Sequence, residues 1–290
     1  MVRWSGSRRS GNIQDRRGSR AVRAGGLGGG VGLVILVVYA LLGGNPLELL
    51  QVAGSGQGAP PSEEVQPDSA PPTDEMGAYL SAVLAMTEDV WSEIFAESDE
   101  AYREPVLVLF TESVQSACGF ASAATGPFYC PPDQNLYLDT SFFEELARMG
   151  GAGDFAVAYV VGHEVGHHVQ TLTGISNRVR TMQQRSTSEN EINRLQVLME
   201  LQADCYSGVW AHHANRHGQI LEPGDVEEGL AAAAAIGDDR LQRGAGRTVS
   251  PESFTHGSSA QRREWLDIGL RNGDVGTCDT FADAGVLLSE

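Results

Sequence analysis

At 290 residues with 41% hydrophobic content, the chain is long enough for one sizeable core plus attached segments, and a formal charge of −18 excludes nucleic acid as a natural partner. All 20 basic residues are arginine; seven precede residue 25, leaving 13 against 37 acidic residues, or about −24, in the remainder. So acidic a surface repels phosphate backbones and anionic headgroups without specifying a substrate.

Residues 1–24 hold seven Arg and one Asp with no apolar run, and are expected to form a basic cytoplasmic tail. Residues 25–44 carry no charge and include the apolar run Val31 to Leu42. About 20 such residues cross a bilayer, and the Arg excess before them orients the N-terminus to the cytoplasm. A cleaved signal peptide also matches the charged-then-apolar order, but Gly43-Gly44-Asn45-Pro46 offers no small-x-small cleavage pattern. A buried core helix is opposed by the five glycines between Gly25 and Gly30. The expectation is a single-pass transmembrane helix at the cell membrane, with everything after it extracytoplasmic. Residues 45–75, dominated from Val52 onward by Gly, Pro, Ser and acids, cannot bury a core and are expected to be a disordered linker. A folded domain is then expected over 76–290.

Within that domain, helical spacing of Leu80, Val83, Leu84, Val90, Trp91 and Ile94 predicts a helix over Tyr79 to Phe95. Val106 to Thr111 is a short β-like run, and Phe128 to Asp139 holds an alternating Asn135 to Leu138 interrupted upstream by Pro131-Pro132. A helix over Phe142 to Met149 is expected to start at Thr140 or Ser141, with Glu144 completing a capping box. Asp154 to Thr173 follows as a helix closed by Gly174. Further helices are predicted over Asn190 to Asn215, Val226 to Ile236 and Ser259 to Leu270. Helices with a small sheet make the fold class α+β, mostly helical, and the order sheet, metal helix, ligand helix suits a zincin.

The third of these helices carries His163-Glu164-Val165-Gly166-His167-His168. His163 and His167, four apart, stack on one face and can grip one Zn²⁺, with Glu164 beside them to polarise a coordinated water. The flanking Val160-Val161-Gly162 and Val169 are charge-free, as a buried metal helix requires. Downstream, Glu200-Leu201-Gln202-Ala203-Asp204 places two carboxylates four apart on one helix. Glu200 completes a His₂Glu set that leaves a position open for water, and Asp204 is placed to accept the outer N–H of a ligand histidine. Glu164 is then the general base, and His256, with Tyr129 second, the candidate donor to the oxyanion. The remaining His168, His212, His213 and His217 read as supporting or surface residues. Four cysteines allow three pairings; Cys118 and Cys130 flank a Gly/Ala/Ser-rich loop and form the natural pair, leaving Cys205 to Cys278. No cysteine sits in a nucleophile setting, and no C-x₂-C spacing supports a structural zinc.

HEVGHH and ELQAD, together with Arg3-Trp4, RRSGNIQDRR from Arg8 to Arg17, CGFASAATGPFYCPPDQNLYLD from Cys118 to Asp139 and SFTHGSSAQRREW from Ser253 to Trp265, resemble the bacterial neutral zinc metallopeptidases, a group close in site logic to the gluzincins. The resemblance covers almost the whole chain. It implies a membrane-anchored zinc metallopeptidase, an endopeptidase by expectation, acting on a peptide or protein substrate that it does not identify. The competing reading is a membrane-tethered binding or chaperone-like module with a vestigial or structural zinc; an intact Glu164, which is not needed to hold metal, speaks against it.

Overall fold

The structure, a computed structural model, describes residues 1–18 and 72–288. Both stretches belong to one compact unit. The transmembrane span expected over 25–44 and nearly all of the linker lie outside the described residues. Among the described residues, no helix is long and apolar enough to cross a membrane.

A four-stranded sheet has the order β1-β2-β6-β5, formed by Ile13–Asp15 (β1), Val106–Phe110 (β2), Phe128–Cys130 (β5) and Asn135–Asp139 (β6). β1, β2 and β6 are parallel, in the register Ile13 to Leu107 and Leu107 to Leu136, and β5 is antiparallel to β6 on the outer edge. Ser113–Ser116 (β3) and Gly119–Ser122 (β4) make a separate hairpin. Alternation divides the central strands between two layers. Leu107, Leu109, Leu136 and Leu138 face the main helical core, while Val108, Phe110 and Tyr137 pack with Val114 and Ala121 of the hairpin.

The helices are α1 (Glu75–Ala96), α2 (Phe142–Arg148), α3 (Asp154–Leu172), α4 (Ile175–Arg185), α5 (Glu189–Gly218), α6 (Asp225–Ala235), α7 (Asp238–Gly244), α8 (Ser259–Asn272) and α9 (Thr280–Asp283). α1 starts where the Asp74 carboxylate accepts the N–H of Gly77, and α5 where Ser188 accepts that of Glu191. At the head of α2 the expected capping box is absent: Ser141 makes no capping bond, and its own N–H goes to Asp139 Oδ1 at 2.9 Å. The mixed α+β architecture is as expected. β1 is too short and α7 too polar to show an apolar period, whereas α4, absent from the expected helices, carries one in Ile175, Val179 and Met182.

Two close approaches set the core. A side chain at Gly166 of α3 would lie 3.0 Å from the Ala203 backbone of α5, and one at Gly269 of α8 would lie 2.0 Å from the Cys205 carbonyl. α5 is thus sandwiched between α3 and α8 with backbones nearly in contact. Both expected disulfides are present, Cys118–Cys130 and Cys205–Cys278, with Cα separations of 5.8 and 5.6 Å.

Residues 1–18 correct the expectation of a basic tail outside the folded domain. β1 is a strand of the sheet, and the arginines read as a topology signal are engaged by the domain's acids: Arg8 by Glu88 and Asp89 at 2.8 Å, Arg3 by Glu222 at 3.1 Å, Arg17 by Asp15 and Asp74. Residues 1–18 are therefore part of the folded domain, through the pairing of β1 with β2 and these ion pairs.

Candidate metal centre

α3 and α5, held close by Gly166, bring together donors from two distant parts of the chain. His163 Nε2 lies 3.2 Å and His167 Nε2 3.5 Å from the same oxygen, Glu200 Oε2. One donor atom from each of these three residues lies within 4.8 Å of the others. The opposite ring nitrogens are already committed. His163 Nδ1–H donates to Asp204 Oδ1 at 2.9 Å, and His167 Nδ1–H to Gln170 Oε1 at 2.8 Å. Each imidazole is thereby held in the tautomer that leaves Nε2 bare toward the shared point. Gln196 Nε2 donates to Glu200 Oε1 at 2.9 Å, turning the other oxygen inward. Two imidazoles and a carboxylate with free donors facing one point suit a divalent zinc ion and leave a coordination position open. Without an ion the cluster neutralises itself with protons. Burial works against a charge on His163, but Asp204 and Glu200 overcome it and carry its pKa up to about 9. Burial likewise opposes charge on Glu200, and the two imidazoles hold its pKa well below the usual carboxylate range.

Glu164 stands apart. It is buried, and it makes no hydrogen bond to any described residue. Burial raises its pKa, against the pull of His163 and His167. Its carboxylate lines a cleft of about 650 Å³ together with His163, His167, Glu200, His256 and the edge strand β5.

His256 reaches this cleft from the loop before α8, half-exposed, with Nδ1 3.2 Å from Asp238 Oδ1. Asp238 Oδ2 accepts the backbone N–H groups of Thr255, His256 and Gly257, which fixes the loop. The Asp238 hydrogen bond raises the pKa of His256 above its ordinary value, and the ring faces the cleft. Tyr129, the second candidate donor, is committed elsewhere. His168 is buried with its pKa lowered to about 4, chiefly by desolvation; its Nε2–H donates to the Arg103 carbonyl at 2.6 Å. Its bare Nδ1 therefore accepts the Tyr129 hydroxyl at 3.1 Å. His168 thus braces β5, and Tyr129 is not a free oxyanion donor. His212 and His213 donate to the carbonyls of Leu270 and Gly273, and His217 lies 3.3 Å from Glu93, all far along α5 from the cluster.

Sequence reasoning missed Gln170, Gln202, Tyr159, Asp238 and Arg262. Gln170 Nε2 donates to the Met199 carbonyl and to Gln202 Oε1, and Gln202 in turn to the Cys278 carbonyl at 3.1 Å. Tyr159 O–H and both arms of Arg262 converge on Asp204. Tyr159 sits one turn before His163 and Gln170 one turn after His167, spacings that mark a shared face; Gln202, Asp238 and Arg262 have no local signal, because their partners lie far away in sequence.

The chain is 44% identical to the uncharacterized protein YpfJ of Escherichia coli (strain K12) over 288 residues, covering 97% of this chain and 99% of that one. It is 45% identical over 194 residues to the uncharacterized protein Mb2605 of Mycobacterium bovis, covering 63% of this chain and 64% of the relative. No solved structure matches. A family model described as "Putative neutral zinc metallopeptidase" matches residues 2–281, from the N-terminal segment through both halves of the metal cluster, and the chain belongs to that family.

Proposed function

We propose that the protein is a zinc-dependent metallopeptidase that hydrolyses peptide bonds in the cleft above His163, His167 and Glu200. The observation that carries this reading is Glu164: a carboxylate bonded to no described residue and open to the cleft, beside three converging donors. When bound, zinc supplies Lewis acidity, polarising the scissile carbonyl and lowering the pKa of a coordinated water toward neutrality. Glu164 takes the proton of the attacking water and delivers it to the leaving amine. Protonated His256, held by Asp238, donates to the oxyanion of the tetrahedral intermediate. The outer side of β5 offers backbone groups to an extended peptide lying along the cleft. In this proposal residues 1–18 and the domain lie together on an oxidising, extracytoplasmic side, which suits the two disulfides.

Zinc analysis coupled to cleavage of a broad peptide library tests the reading. Glu164→Gln should keep wild-type zinc and lose about 10²–10⁴-fold in turnover. Retained cleavage in that variant removes the general-base assignment. Zinc without cleavage in the wild type favours a binding module.

A further inference from the structure

Every side-chain hydrogen bond made by Asp204, which is completely buried, is made at the metal centre. Oδ1 accepts from His163 Nδ1 at 2.9 Å, from the Tyr159 hydroxyl at 2.6 Å and from Arg262 Nη2 at 2.9 Å. Oδ2 accepts from Arg262 Nε at 2.8 Å. Arg262 is itself only 2% exposed and comes from the first turn of α8, 58 residues further along the chain. Its planar fork grips the carboxylate at both oxygens, which fixes the carboxylate plane as a single-point contact would not. In that plane Oδ1 faces the N–H of His163. The same Nη2 lies 3.2 Å from the Tyr159 oxygen and 3.3 Å from His163 Nδ1, so it packs against both other partners of Oδ1.

Charge supports this arrangement. Three buried carboxylates (Glu164, Glu200 and Asp204), one guanidinium and two neutral imidazoles sum to −2, which a divalent ion balances. Without the guanidinium, Asp204 would be a buried carboxylate with no cation against it, free to take up a proton or turn away from His163.

We infer that Arg262 is a positioning residue of the metal centre: its two-point hold on Asp204 fixes the tautomer and ring orientation of His163, and so presents Nε2 to the ion. The inference rests on the zinc-site reading above. Arg262 also lines the cleft, so direct substrate binding is the role to be distinguished.

Zinc dissociation constants of the full chain, by chelator competition, separate these roles for wild type, Arg262→Met, Arg262→Lys, Asp204→Asn and the double variant Asp204→Asn/Arg262→Met. Thermal unfolding serves as the fold control. Arg262→Met should weaken zinc binding by about 10- to 100-fold, the loss usual for a residue that orients a metal-bound histidine. Arg262→Lys should recover part of that loss, since a point charge can replace one contact of the fork. The double variant should bind zinc no more weakly than Asp204→Asn, because both changes act through one carboxylate. At saturating zinc, Arg262→Met should lower kcat while KM stays within about twofold of wild type. Unchanged zinc affinity in folded Arg262→Met overturns the inference. So do additive losses in the double variant, or a raised KM with unchanged kcat, which marks a substrate-binding arginine. If Arg262→Met does not fold, Arg262→Lys and the charge-balanced double variant carry the comparison. A wild-type protein that binds no zinc overturns the site reading itself, and this inference with it.

Discussion

Glu200 and His256 do different work in the same cleft, and their variants should separate. Glu200 Oε2 faces both ligand imidazoles, so Glu200→Ala should weaken zinc binding by more than about 10²-fold, the upper range for residues that merely support a ligand. Full zinc stoichiometry in dialysed Glu200→Ala would contradict its place among the ligands. His256 is expected to govern the alkaline limb of the pH profile. Its pKa in the folded protein is raised above 6.5, mainly by the Asp238 hydrogen bond, so the donating protonated form prevails below the raised value and is lost as pH climbs through it. The kcat/KM profile should therefore fall on its alkaline side at a pH above 6.5. His256→Gln should lack that limb and turn over about 10²–10³-fold more slowly. A wild-type limb that persists in His256→Gln would assign it to another group.

Among elements, the pairing of α3 with α5 decides whether the donors converge. Gly166 lies inside the HEVGHH segment but touches no ligand; its role is to let the α3 backbone approach Ala203. Gly166→Ala places a methyl 3.0 Å from backbone atoms that cannot swing aside. It should cost roughly 1–3 kcal/mol of stability, as overpacking of a tight core does, and lower zinc affinity by pushing the two ligand helices apart. Denaturant unfolding of the apo and zinc-loaded forms measures both. Equal stability and affinity would show that the helices have room to spare. The disulfide Cys205–Cys278 sits on the far side of α5 from this contact, and Gln202 ties the same C-terminal carbonyl to the chain of bonds ending at His167.

For the whole molecule, the N-terminal strand carries the strongest consequence. β1 pairs with β2 along Ile13 to Asp15, and Ser10 and Asn12 both bond to the buried Glu88. A bilayer crossed once between residues 18 and 72 would tear these contacts apart. Cysteine variants at Gly6 and at the exposed Glu144, labelled in intact cells with a membrane-impermeant reagent, should therefore react from the same side. Labelling of one only, with the other exposed after lysis, would show that β1 and the domain are separated in the cell.

Much of the site could be read from the chain because helical geometry is local. His163 and His167, or Glu200 and Asp204, share a face by spacing alone, and a charge-free frame around HEVGHH reveals a buried helix. The same holds for the long amphipathic helices and for the apolar strands β2 and β6. Contacts between distant segments have no such rule. Tyr129 reads like a donor to the cleft, yet the partner of its proton, His168, could not be known before both were placed. Arg262 and Asp238 are ordinary charged residues until folding buries one against Asp204 and sets the other under the loop of His256. The N-terminal arginines follow the usual charge pattern of a membrane-flanking tail, and only the pairing of β1 with β2 revealed their segment as part of the folded domain. Spacing along one helix is a property of covalent geometry; which carboxylate meets which cation across the core is settled by packing, because the cost of burying either charge alone is what drives them together.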